Sequence, residues 1–221
     1  MSTELDDAIA QSGLTRHRYL LARWQAERLS QTYADLLASV RYGKAAEFFL
    51  TDLYGPRDFS RRDQDGERIV AKMRALLPAR AMAAIERALH LNRLSHQLDA
   101  RLAAMLFDEM AVEHITAQHY AEAYRRCGNE AERREQIELV DELGRELDVV
   151  VKKPLVQMAL KLAHRPAHMA GLGELQDFLE RGVAAFLHMK GAEDFLATIR
   201  ERETIILERI VAGVADPFTI A

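Results

Sequence analysis

Apolar positions recur along most of the chain three and four residues apart, the spacing of amphipathic helices, while β-branched patches are too short or too badly phased to alternate as strands. The pattern predicts an all-α protein, a single globular multi-helix domain of eight or nine helices. Over residues 15–40, Ala22, Ala26, Leu29, Tyr33, Leu36, Leu37 and Val40 share one face, and Leu20 and Trp24 fall on the opposite one. A helix that is apolar on two sides must cover both, either between layers of its own fold or against a partner chain.

Residues 45–54 read as a second helix, and 60–77 as a third that stops at Pro78. Over 79–110 the pattern changes phase: Met82, Ile85 and Leu89 share one face, whereas Leu91, Leu94, Leu98, Leu102 and Met105 share nearly the opposite one. No Pro or Gly lies near His90 to kink the helix, so the reading is of one helix that crosses the core and buries a different side in each half. A segment over 111–126 follows, then the turn Cys127-Gly128-Asn129 and a helix over 131–150 with Ile137, Val140, Leu143, Gly144, Leu147 and Val151 inward. Pro154 suits the first turn of a new helix, and 155–163 is apolar almost all round, which makes it the candidate centre of the fold. Pro166 and Gly171-Leu172-Gly173 punctuate the way to two last helices over 174–189 and 192–212. Gly182 lies inside an apolar stripe, where a close backbone crossing would offset its cost of about 1 kcal/mol relative to alanine. The expected organisation is a flexible segment over 1–13, a helical domain over 14–214 and a tail over 215–221.

Charge and composition narrow the function classes. Thirty basic against 34 acidic side chains leave a formal charge of -4, without the dense Lys/Arg excess that drives counterion release from duplexes, so no nucleic-acid partner is expected. One cysteine, Cys127, can form neither an internal disulfide nor a multi-thiolate metal site, which suits a reducing compartment. Glu4, Asp6 and Asp7 stand where a secretory signal needs positive charge, and Lys152, Lys153 and Lys161 interrupt the most apolar stretch. The chain reads as cytoplasmic, with no membrane partner. Phosphate-loop, dinucleotide-binding and nucleophile-elbow signatures do not occur in it, and neither does His-Glu-x-x-His or a Glu-x-x-His pair. No catalytic residue, metal or cofactor is therefore assigned, and enzymatic activity is left open with the balance against it.

The densest motif is FFLTDLYGPRDFSRRD, over 48–63. Gly55 and Pro56 can end one helix, and Ser60 can cap the next with Asp63 reaching back three residues later. Alternatively, Arg57, Arg61 and Arg62, with Asp58 and Asp63, form an anion or acidic-partner site beside an open helix N-terminus. This motif, with GLGELQDFLERGVAAFLHMKGAEDFLATIRERE near the C-terminus, resembles a family of bacterial helical proteins described only as a domain of unknown function. The resemblance covers most of the chain; it implies a shared helical fold and supplies no activity.

Three further features carry candidate chemistry. His114, His119 and Glu122 could line one helical strip with Glu113, a weak metal signal. His164 and His168 straddle Pro166, and one of them beside Met158, Met169 and Phe178 could ligate haem in a helical pocket or simply cap a helix C-terminus. Glu203 falls within the apolar stripe of the last helix, where a carboxylate must be paired, protonated or facing a cavity; an arginine from elsewhere in the chain, for example from the 57–62 cluster, is the plain partner, and a raised-pKa acid in a pocket is the alternative.

Two functions follow. The first is a non-enzymatic interaction or regulatory protein that self-associates as a dimer through Leu20 and Trp24, since Trp is enriched at the energetic centre of interfaces. The alternative is a helical pocket protein holding a small molecule, haem or metal through His164, His168, Glu203 or the arginine cluster.

Overall fold

The computed structural model describes residues 2–73 and 79–220. Among them eleven helices form and no strand: α1 (Ser2–Ser12), α2 (Arg16–Thr32), α3 (Ala34–Ala38), α4 (Gly43–Phe48), α5 (Ser60–Met73), α6 (Ala79–Ala103), α7 (Ala117–Arg126), α8 (Glu130–Val151), α9 (Pro154–Met169), α10 (Gly173–Met189) and α11 (Glu193–Val211). The all-α class stands, and the expected count of eight or nine is too low for two local reasons. The first 13 residues, expected to be flexible, contain α1, whose end is tied down where the Asp58 N–H donates to the Ser12 carbonyl. The long helix expected over 15–40 breaks at Tyr33, where φ -113° and ψ 25° leave the helical region, so α3 starts in a new direction. The expected stop at Pro78 lies outside the described residues. None of the described helices is long and apolar enough to cross a membrane.

α4 and α6 each run on into a π-helical turn, Phe49–Leu53 and Ala104–Glu109. The wider turn shifts the helical phase within an otherwise continuous element. α6 passes unbroken through His90, with Met82 buried in its first half and Leu94, Leu98 and Leu102 in its second.

Apolar side chains gather in neighbouring clusters. One joins Leu29, Tyr33 and Leu36 to Phe48, Phe186, Phe195 and Leu196, and so ties α2, α3 and α4 to α10 and α11. A second packs Leu21 on Leu102, Leu106 and Tyr120. α8 packs directly on α11 at Gly144, buried in α8, which has no side chain: a Cβ there would run into the methyls of Leu196. Gly182 fills the same role on α10, where a Cβ would stand 3.0 Å from Cζ of Phe48. The described part of the tail, 215–220, also joins the core, with Pro217 buried and Phe218 packed against Trp24 and Tyr120.

α9 corrects the expectation most strongly. Placed by its composition at the centre of the fold, it has no buried residue at all. Leu155, Leu162 and Met169 are 69%, 71% and 90% exposed. A helix that is apolar all round carries no phase information, and composition gave no sign of which side packs. The half-buried residues Val156, Leu160, Ala163 and Ala167 form the inward stripe, and the buried Gln176 of α10 donates to the Leu160 carbonyl at 2.8 Å. Pro166 sits inside α9 rather than between two helices, so His164 and His168 share one helix.

Candidate functional site

Glu203 leads to the site. Its register on α11 points it inward, and the Arg28 Nη1–H donates to Oε1 at 2.6 Å while the Tyr33 hydroxyl donates to the same oxygen at 2.8 Å. The arginine is thus from α2 and not from the 57–62 cluster. The side chains of Arg28 and Glu203 are only 12% and 21% exposed, so each charge depends on the other. Burial opposes the Arg28 charge, but Glu203 and the neighbouring phenols outweigh it and raise the guanidinium above its ordinary value. Burial, and then the Glu203 charge, raise the Tyr33 phenol well above a free tyrosine.

This triad forms one wall of a cavity of about 110 Å³ among α2, α6, α7, α8 and α11. The other polar walls are Gln25, Tyr54, Asp99, Tyr120, Tyr124, Arg133 and Gln136, and the rest is apolar, with Leu29, Phe49, Ile137, Val140, Phe195, Ile199 and Phe218 among the lining. Gln25 donates through Nε2 to Asp99 at 3.1 Å and to the Tyr120 hydroxyl at 3.4 Å. Arg133 is 5% exposed, and among the described residues no carboxylate lies within ion-pairing distance of it. Its Nη1 donates to Gln136 at 3.2 Å, its Nη2 reaches the Leu98 carbonyl at 3.4 Å, and its guanidinium lies 4.6 Å from the centre of the Tyr124 ring. Its Nε has no acceptor, and neither does the Nε of Arg28. The Tyr54 and Tyr124 hydroxyls donate to no described residue. Burial pushes Tyr54 up to about 12, helped by the Glu203 charge, and burial also raises Tyr120 and Tyr124. The phenols are therefore neutral donors across the physiological range, in a site where unsatisfied donors outnumber unsatisfied acceptors.

Trp24 stands directly behind this wall. Its indole stacks on Tyr120 at 4.2 Å and meets Phe218 edge-on at 5.5 Å. The second face of α2 is thus covered at Trp24 from within the chain, and Leu20 is half-buried beside it.

The 57–63 motif is built into the fold. Asp52, 5% exposed, accepts from Arg181 Nη2 at 2.6 Å and from Arg57 Nη2 at 3.3 Å. Arg62, 7% exposed, donates to the Asp52 carbonyl at 2.6 Å and through Nε and Nη2 to one oxygen of Asp63, with its guanidinium between the rings of Phe59 and Phe178. Asp63 also accepts from Asn92 at 3.2 Å, and these partners with His96 lower its carboxyl against the opposing effect of burial. The capping expected of Asp63 falls to Asp58, which accepts from the Ser60 N–H at 2.9 Å. Arg61 is exposed.

The remaining candidates separate. Glu122 pairs with Arg125, and His119 Nδ1 lies 3.0 Å from the His114 carbonyl, so the expected strip over 113–122 does not converge. Burial raises the Cys127 thiol, the opposite of what a nucleophile needs. His164 and His168 are exposed on α9, with Met158 and Met169 also facing outward, which is not the enclosure a haem pocket needs. Their ring centres are 4.6 Å apart, and they approach Glu180 and Asp177 of α10.

Sequence reasoning found Glu203 and missed the residues around it. Arg133 was accessible by the same logic, because the stripe Ile137, Val140, Gly144 extended one turn back falls on residue 133. Tyr54, Asp99 and Tyr124 carry no such signal.

No curated protein and no solved structure matches this chain. The family model described as Domain of unknown function (DUF8198) matches residues 4–217, nearly the whole length, and the chain belongs to that family.

Proposed function

We propose that the protein binds a small polar molecule in the cavity beside Glu203. The observation that supports this best is the pair of buried donors without acceptors in its wall residues, Arg133 Nε and Arg28 Nε, beside the Tyr54 and Tyr124 rings. Buried polar groups are ordinarily satisfied, and a cluster of exceptions around a void is accounted for by what fills the void. The occupant brings acceptor oxygens to the arginine side and an apolar body to Val140, Ile199 and Phe195. Scaled from the ~150 Å³ cavity that accommodates benzene, a space of about 110 Å³ suits a molecule of about four to five non-hydrogen atoms. A short-chain carboxylate has that size and that division of polar and apolar ends.

Trp24 supplies the test, because it is the single tryptophan and stacks on a tyrosine of the cavity wall. Titration with acetate, propionate and butyrate is expected to shift its emission saturably. Tyr124→Phe and Arg133→Met are expected to weaken the response about tenfold or more, in line with the loss of one to two hydrogen bonds to a charged group. Native mass spectrometry of protein taken directly from cells checks for a retained occupant. Bare chains together with an unresponsive Trp24 would end this reading.

A second reading, self-association, is supported by α9, whose Leu155, Met158, Leu162 and Met169 are all more than half exposed. The surface it would use is this stripe, and not Trp24. Sedimentation of Leu162→Glu beside the unmodified chain tests it: dimer lost on substitution supports it, and monomer in both rules it out.

A further inference from the structure

We propose a divalent transition-metal site, with zinc as the fitting ion, on the surface where α9 meets α10, held by His164, His168 and Asp177. The two histidines are one turn apart on α9, so their rings project from the same side of the helix. The turn through Gly171, with φ +77°, brings α10 back alongside them. One ligand atom from each of the three residues lies within 4.8 Å of the other two, and His168 Nε2 is 2.9 Å from Asp177 Oδ1. Zinc with bonds of about 2.0–2.2 Å in a tetrahedron holds its ligand atoms about 3.3–3.5 Å apart. Small rotations of three side chains that are not locked in the core close that gap. Imidazole nitrogens with a carboxylate oxygen form a donor set suited to zinc and its neighbours in the transition series.

Two further details favour a site over chance pairs. Glu180, one turn beyond Asp177, lies 2.9 Å from His164 Nδ1, and a carboxylate in that position orients a metal-bound histidine and raises its basicity. Glu180 is itself fixed by the buried Gln176, which donates to it at 2.8 Å, and these partners lower its carboxyl. Residue 173 is also a glycine, and a Cβ there would lie 2.6 Å from His168 Nδ1, so the missing side chain makes room for the ring at the start of α10. The metal would act as a clip. α9 buries no residue of its own, and a bond between α9 and α10 would hold it where its inward stripe packs only partly.

The test is calorimetric titration of chelator-treated protein with ZnCl₂, repeated with Co²⁺, whose visible absorption reports tetrahedral ligation. One equivalent should bind with micromolar or tighter affinity and raise the melting temperature. His164→Gln, His168→Gln and Asp177→Asn should each remove most of the binding, and Glu180→Gln should weaken it about 10–100-fold as an orienting group. All four residues are at least one-third exposed, so the variants should fold, and circular dichroism checks this. Absence of stoichiometric binding, or binding that survives His164→Gln and His168→Gln together, overturns the proposal.

Discussion

α8 and α9 follow one another in sequence and meet opposite fates. α8 is heavily charged, yet it buries Arg133, Leu139, Asp141, Leu143 and Gly144 and lines the cavity. α9 has a longer apolar run and remains at the edge, in contact mainly with α10. The difference lies in what surrounds each helix. α8 lies between α6 and α11, and the polar residues on its inward side find partners: Arg133 in Gln136 and Tyr124, and Asp141 in Arg145 at 3.0 Å. On α9 Val156, Leu160, Ala163 and Ala167 turn inward, but Leu155, Met158, Leu162 and Met169 lie on a side that no described helix covers. Burial follows from the neighbours around a helix more than from the number of its apolar residues.

The sharpest way to break this contrast is the same leucine-to-alanine substitution made in the core beside α8, at Leu102 of α6, and on α9, at Leu162. Leu102→Ala, at a position with no solvent exposure, should cost about 3–4 kcal/mol, read as a loss of denaturation midpoint. If Leu102→Ala is tolerated, the second cluster is not a core.

Next in size is the charge pair. Glu203→Leu should cost about 2–3 kcal/mol, because it leaves the Arg28 charge buried without its carboxylate, and in a chain of this length that lowers the melting temperature by about 4–12 °C. The double variant Arg28→Met with Glu203→Leu should recover most of the loss, since an apolar pair of similar volume is often as stable as a buried ion pair. A single variant more stable than the parent would instead mark Glu203 as kept for function at the expense of the fold.

A smaller effect separates the regions by pH. Tyr33, Tyr54, Tyr120 and Tyr124 all have raised values in the folded chain. The native state keeps protons that the unfolded chain gives up near pH 10, so this contribution is complete below about pH 10 and is lost as pH rises through the folded values, about 12 for Tyr54. Phenolate absorbance should therefore rise late and together with loss of helical signal. An early rise covering these four rings would show that the cavity is open to solvent. The smallest effect belongs to α9, where Leu162→Ala should change stability by less than about 0.5 kcal/mol.

Legibility from sequence followed the same line. Helix α11 and the buried part of α8 were readable because their stripes are one-sided, and Glu203 was readable because it interrupts one. What covers the Trp24 side of α2 was not legible for a different reason: the ring that stacks on it comes from Tyr120, almost a hundred residues later, and Phe218 meets it from a tail that has no periodicity to read. Tyr54 was equally hidden, since it follows a π-helical turn that shifts the phase on which a stripe would be counted. The 57–63 motif was legible as a helix boundary, and its salt-bridge network depends on Arg181 and Asn92, which local spacing does not reach.

Gly144 has a mechanical consequence. At this residue the Leu196 methyls of α11 fill the space a side chain would take, and along α8 Gly144 is about 16 Å from Arg133, while Leu196 is about 10 Å from Glu203 along α11. The crossing is a fulcrum with the two polar walls of the cavity at the ends of its arms. A tilt of about 4° at the fulcrum carries Arg133 about 1 Å, enough to gain or lose a hydrogen bond. The width of the cavity is thus set by a residue that does not line it, and a single added methyl at position 144 would act as a wedge that opens the far end of the lever.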